Sequence, residues 1–180
     1  MFHSISYPPL SSIKHFEGKG NFAVRKYYDF PFLFFYRHKL KMIVDMMGDD
    51  KFDRILDFGA GSGIFHTELI KHAKSVTCVN EDSKLNPDWR FDAIICASVL
   101  EFCHLYSTVS RLHSLLNPGG VLYVASPMDT KFSNFYFKAI KDTKMRHSHE
   151  LIKSVVSSKF KIEEYKEWMG LYFALKAVKR

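Results

Sequence analysis

Hydrophobic positions in the first fifty residues pass from no clear period to a helical one. Residues 1–29, which include "YPPL" and "EGKGN", mix polar and apolar residues without a repeat and read as an irregular arm. Beyond them Phe32, Phe35, Tyr36, Lys39, Ile43 and Met46 recur at helical spacing. Asp29 suits the cap of that helix, Pro31 its first turn and Gly48 its end.

From Arg54 the pattern changes to short apolar runs alternating with helical ones. "RILDF", "SVTCV", "FDAIICA" and "VLYVAS" read as strands, while "GIFHTELIKHA" and "TVSRLHSLL" read as helices, the second closed by Asn117-Pro118-Gly119-Gly120. Such alternation predicts parallel strands joined by helical crossovers, the α/β class. After a looser stretch holding Phe132, Phe135 and Phe137, "SHELIKSVVSSKF" reads as a helix capped at Ser148. "KIEEYKEW" and "LYFALKAVK" then read as two strands turned at Met169-Gly170, a terminal antiparallel hairpin.

A chain of 180 residues supports one core and a single site. The net charge of +7 is uneven: +3 over residues 1–54, −3 over 55–130 and +7 over 131–180. The basic final third could favour an anionic partner, yet its lysines are scattered and no RNA-binding signature accompanies them. Cys78, Cys96 and Cys103 are odd in number, lack zinc spacing and sit partly in apolar runs, so reduced thiols in a cytoplasmic protein are expected, with no metal site. Neither a secretory signal nor a membrane-spanning run is expected from the pattern.

Candidate chemistry concentrates in "RILDFGAGSGIFHTEL", where three glycines at alternate positions follow a strand. A phosphate-cradling loop needs Gly-Lys-Ser/Thr there, but Ile64 and Phe65 follow Gly63. A dinucleotide fingerprint needs glycine at position 64, which is Ile64. The remaining pattern, Asp57-Phe58-Gly59-Ala60-Gly61-Ser62-Gly63, resembles motif I of the class I S-adenosylmethionine-dependent methyltransferases. "FDAIICASVLEF" and "LHSLLNPGGVLYVASP" resemble that family's fourth-strand motif and its turn into the fifth strand, so the likeness covers about residues 54–127.

The resemblance implies a Rossmann-like, mostly parallel sheet with helices on both faces and a reversed last strand. It also implies S-adenosyl-L-methionine as cofactor. Gly59 and Gly61 would let backbone approach its methionine half, with Asp57 orienting the loop and Ala60, Ala97 and Ser98 beside it. A plain strand-to-helix turn is the alternative reading of the glycines.

Two departures change the picture. Where the family places a ribose-binding acid, this chain has Asn80, followed by Glu81; the expectation is Glu81, shifted by one place, with Asn80 as second choice. Between Asn80 and Phe91 stand only "EDSKLNPDWR", too short for a helix and a strand. Extended, this segment reaches about 33–36 Å, enough to return along the sheet. In the family's strand numbering the sheet should then have six strands in the order 2-1-4-5-7-6. Leu85, Asp88 and Trp89 are left to replace the lost adenine contacts, Trp89 either by stacking on the base or by plugging the sheet edge.

For the acceptor side, Glu101, His104, His147 and His149 are candidate bases. Residues 1–48 read as an arm and lid helix, with Tyr28, Tyr36 and Arg37 able to reach a carboxylate, and residues 49–180 as the cofactor-binding core. The arm could equally pack its phenylalanines on the sheet, or rest on an anionic membrane. A small-molecule acceptor is the leading expectation. Alternatives are an RNA or protein methyltransferase, and a non-catalytic scaffold with this fold. The Asn/Asp-Pro-Pro-Tyr/Phe motif of base methylation is missing, since Ala97-Ser98-Val99-Leu100 stands in its place.

Overall fold

The computed structural model describes residues 32–61, 63, 65–139 and 147–180. Its elements in chain order are α1 (Phe32–Met47), β1 (Phe52–Phe58), α2 (His66–Leu69), β2 (Ala73–Val79), β3 (Phe91–Ala97), α3 (Leu105–Leu115), β4 (Leu116–Pro127), α4 (Lys131–Ala139), α5 (His149–Lys159), β5 (Phe160–Trp168) and β6 (Tyr172–Lys179). The strands form one sheet in the order β2-β1-β3-β4-β6-β5. β2, β1, β3 and β4 run parallel, and β6 inserts antiparallel between β4 and β5. This is the expected order, with β3 to β6 standing for the family's fourth to seventh strands.

Because side chains alternate along a strand, each strand supplies two cores. Leu56, Phe58, Ile94, Cys96, Leu122, Val124, Phe173 and Leu175 share one face with Val109 and Leu112 of α3 and Ile152, Val155 and Val156 of α5. Ile55, Ala93, Ile95, Tyr123, Ala125 and Ala174 share the other with Leu40, Ile43, Met46 and Met47 of α1. The second half of α1 is therefore a fixed layer of the fold. Tyr28 lies outside the described residues, as does the side chain of Tyr36.

The two signature turns have structural roles. Asp92, the acid of "FDA", accepts from the backbone N–H of Asp53 and Arg54 and from the Asn117 amide, at 2.7–3.0 Å. It thus ties the start of β1 to the irregular first residues of β4. Burial alone would raise its pKa, but these hydrogen bonds and the Arg54 charge outweigh that and hold it lowered. Gly120 is required in the same turn: a Cβ there would stand 2.9 Å from the Asn117 carbonyl oxygen and 3.2 Å from that of Asp92.

Local elements differ from the expected ones in three places. The helix expected over "GIFHTELIKHA" shrinks to the single turn α2, because the Lys71 and His72 N–H groups tighten onto the Glu68 and Leu69 carbonyls and the His72 carbonyl accepts from Phe52 N–H. β2 consequently starts at Ala73. The looser stretch after β4 contains α4, whose pattern is inverted: Phe132 and Phe135 are exposed while Ser133 is buried. Its start is set by Thr130, whose Oγ1 accepts from Ser133 N–H at 3.0 Å. Ser148 caps α5 by accepting from Leu151 N–H.

Between β2 and β3 the described chain has neither helix nor strand, so the shortened connection is a loop. Leu85 sinks into the core from it, and Arg111 of α3 donates to the Ser83 carbonyl. Trp89 meets Phe91 edge-on at 6.0 Å and packs on the core at the amino end of β3. It thus lies at the end of the sheet opposite the glycine loop, beside the central strand β3.

Candidate functional site

In a mostly parallel sheet, ligands gather beyond the carboxyl ends of the strands. Gly59, Gly61 and Gly63 lie there after β1, with φ of 78°, 54° and 71°, a backbone that residues with side chains rarely adopt. The loop is held by two backbone bonds, from Gly59 and Ala60 N–H to the Val79 carbonyl at 2.8 and 3.0 Å. Gly59 faces a close neighbour within the protein itself. A Cβ there would lie 2.6 Å from Val99 Cγ2, so this glycine lets the loop after β3 approach the loop after β1.

Asp57 stands at the root of the loop. It is buried, and its Oδ2 has no hydrogen-bond partner among the described residues. Burial raises its pKa to about 7. The alternation of β1 puts it on the face covered by α1. A buried carboxylate oxygen beside a glycine cradle fits a ligand carrying an ammonium group, such as the amino-acid end of S-adenosyl-L-methionine.

Beyond β3, Ala97 is half-buried and Ser98 adopts φ of 56° without being glycine. Its N–H donates to the Ala125 carbonyl at 2.7 Å. Its hydroxyl accepts at 2.7 Å from the ammonium of Lys39, a residue only 2% exposed. The same ammonium lies 5.9 Å from the Phe65 ring and 5.7 Å from the Tyr172 ring. Sequence reasoning missed this group: Lys39 was visible as a cation on the apolar stripe of α1, while Arg37, the cation that was singled out, is exposed.

After β2 both Asn80 and Glu81 are exposed. Asn80 exchanges two backbone bonds with Ser83, donating to its hydroxyl and accepting from its N–H at 3.1 Å, which fixes a tight turn there. Cys103 lies within the field of Glu81 and Glu101: burial first, then these two charges, raise its thiol to about 11 against an opposing bond with Thr108.

The candidate bases occupy different settings. Glu101 is fully buried and accepts from the Ser126 hydroxyl at 2.7 Å, which locks the ends of β3 and β4 together. His104 is exposed and starts α3 through its backbone, its carbonyl accepting from Thr108 N–H and the Ser107 hydroxyl. His147 Nε2 lies 2.9 Å from the Cys103 carbonyl, and His149 Nδ1 accepts from Asp129 N–H at 3.0 Å. These two histidines pin the start of α5 against the loops after β3 and β4.

Comparison with known proteins agrees with this arrangement. Residues 32–170 match the family described as methyltransferase domain. No curated protein sequence matches the chain. N-methyltransferase NodS from Bradyrhizobium japonicum WM9, in complex with S-adenosyl-L-homocysteine, has a similar fold (TM-score 0.65, 13% identity, covering 94% of this chain and 97% of that one). So does the PH0226 protein from Pyrococcus horikoshii OT3 (TM-score 0.66, 10% identity, covering 91% and 100%). Geranyl diphosphate C-methyltransferase from Streptomyces coelicolor A3(2) is also similar (TM-score 0.63, 11% identity, 81% of each chain). The family match spans most of the chain, and the chain belongs to the methyltransferase-domain family, with the class I architecture whose cofactor is S-adenosyl-L-methionine.

Proposed function

We propose that the protein transfers the methyl group of S-adenosyl-L-methionine to oxygen, nitrogen or carbon of a small-molecule acceptor. The observation that carries this reading is Asp57, a buried acid with an unpartnered oxygen beneath a positive-φ glycine cradle. The cofactor supplies a methyl carbon activated on a sulfonium. The protein's share is to hold the amino-acid end between the glycine loop and the Ser98 turn, and to exclude water. Glu81, with Asn80 second, is the proposed ribose contact.

NodS is named an N-methyltransferase and the Streptomyces protein a C-methyltransferase of geranyl diphosphate, so small acceptors of several kinds are served by this fold. By analogy the acceptor enters over the ends of β3 and β4. Glu101, His104 and His147 remain the proposed bases, His147 having its Nε2 2.9 Å from the Cys103 carbonyl. We place the protein in the cytoplasm, supported by three free cysteines; among the described residues no helix is long and apolar enough to cross a membrane.

Titration calorimetry with S-adenosyl-L-homocysteine tests this reading, with saturable one-to-one binding expected. The amide at Asn80 and the shortened adenosine side support a second reading, a non-catalytic protein of this fold. Absence of binding selects that second reading.

A further inference from the structure

Large apolar side chains left in water are unevenly placed on this protein. Seven are exposed among the described residues, and six of them stand at the carboxyl end of the sheet: Phe34, Phe102, Tyr106, Phe132, Phe135 and Met169. The most exposed apolar rings belong to α4, beside the turn that carries Met169. Phe132 is 53% exposed, Phe135 73% and Met169 64%, while Ser133, between the two rings in sequence, is fully buried. A helix that had only to be soluble would turn the hydroxyl out and the rings in. The start of α4 is fastened in this orientation: Thr130 Oγ1 accepts from Ser133 N–H at 3.0 Å and donates to the Gly170 carbonyl at 2.6 Å. Met128 N–H donates to the Leu171 carbonyl at 2.8 Å, so the start of α4 and the turn holding Met169 form one fixed face.

We propose that this face docks on an anionic lipid surface, with Phe132, Phe135 and Met169 entering the acyl boundary and Lys131 meeting the headgroups. Charge selects a lipid among the conceivable occupants. By sequence, residues 131–146 hold five Lys or Arg against the single Asp142, and Lys131 is exposed directly before Phe132. Phenylalanine flanked by lysine is the composition of helices that lie in a membrane interface, where each cation is drawn to anionic headgroups. A lysine stem lies along apolar tails while its ammonium stays in the polar layer. The centre of a protein–protein interface, by contrast, is depleted of lysine. Of the flanking acids, Asp129 accepts from the Asn134 amide at 2.8 Å and Glu167 from the Tyr165 hydroxyl at 2.9 Å. The inference does not depend on the methyltransferase reading, although such docking turns the glycine-loop end of the sheet toward the membrane.

The test is co-sedimentation of the full chain with vesicles of phosphatidylcholine alone and of equimolar phosphatidylcholine and phosphatidylserine. The native protein is expected on the mixed vesicles and not on the neutral ones, with binding that weakens as salt is raised. The double substitution Phe132→Ser, Phe135→Ser should bind the mixed vesicles about tenfold or more weakly, because two rings no longer leave water. No binding of the native protein to the mixed vesicles overturns the proposal, as does equal binding to neutral ones. Unchanged binding by the double variant overturns it too, since lysines elsewhere would then account for the attraction. A native dimer in analytical ultracentrifugation that the double variant loses, without vesicle binding, marks the face as an interface between copies and overturns the lipid assignment.

Should the double variant not fold, hydrogen exchange on the native protein still decides. With mixed vesicles added, slowing is expected in α4 and in the turn at Met169-Gly170. Slowing confined to other segments overturns the assignment. Binding of S-adenosyl-L-homocysteine, measured separately, bears on the methyltransferase reading and leaves this result untouched.

Discussion

Replacing Asp57 with Asn should make the protein more stable and bind its cofactor less well, and the gain should depend on pH. In the folded chain the Asp57 carboxyl holds its proton to about pH 7, against an ordinary value of 3.8. Between those values the native state binds a proton that the unfolded state has lost, so native stability falls as pH rises from about 4 to about 7 and levels off above. The difference of about 3 units corresponds to an upper bound of ~4 kcal/mol at pH 8. An amide has no such titration. Thermal melts of Asp57→Asn and the native protein should nearly coincide at pH 4.5 and separate by roughly 10 °C at pH 8. Titration of S-adenosyl-L-homocysteine at pH 8 should show affinity reduced about tenfold or more in the variant, because the ligand's ammonium meets a neutral group. A melting difference that is the same at both pH values would refute the burial argument, and unchanged affinity would refute the assigned ligand contact.

Gly59→Ala places a methyl group 2.6 Å from Val99 Cγ2 on a backbone of φ 78° and should cost about 2–3 kcal/mol in chemical denaturation. Adding Val99→Ala should recover part of that loss, leaving the backbone strain, and a strictly additive pair would contradict the contact. Asp92→Ala removes the acceptor of three hydrogen bonds and should destabilise the protein by about 2–3 kcal/mol near neutral pH. Because the Asp92 pKa is held low, its contribution persists above the ordinary carboxylate range and fades as the pH falls through its lowered value. The native and Asp92→Ala melting curves should therefore converge in acid.

Strand order was legible because the family resemblance supplied the pattern and one connection length corrected it: "EDSKLNPDWR" cannot hold a helix and a strand, so one strand of that pattern had to be missing. The hairpin and the Ser148 cap were local signals and therefore readable. Lys39 was not, since a cation on an apolar stripe looks the same whether its ammonium escapes to solvent or is trapped under Tyr172, and that residue arrives from the far end of the chain. Helix α4 escaped notice because Phe132 and Phe135 face water, which inverts the amphipathic rule. α2 was overestimated because its last residues are drawn into β2 by pairing with Phe52, a long-range bond that no local window contains.

The contact between Lys39 and Tyr172 also sets an order of assembly. β6 is the last strand of the sheet in sequence yet lies inside it, between β4 and β5, and the wall that it gives Lys39 stands roughly 130 residues downstream of α1. At ribosomal rates of about 5–20 residues per second that interval is roughly 7–27 s. During synthesis α1 can cover β1, β3 and β4 as they appear, but Lys39 lacks its Tyr172 wall until the final hairpin is in place. The surroundings of Lys39 are therefore completed late, and a chain that stops short of Tyr172 has the glycine-loop sequence without that aromatic wall.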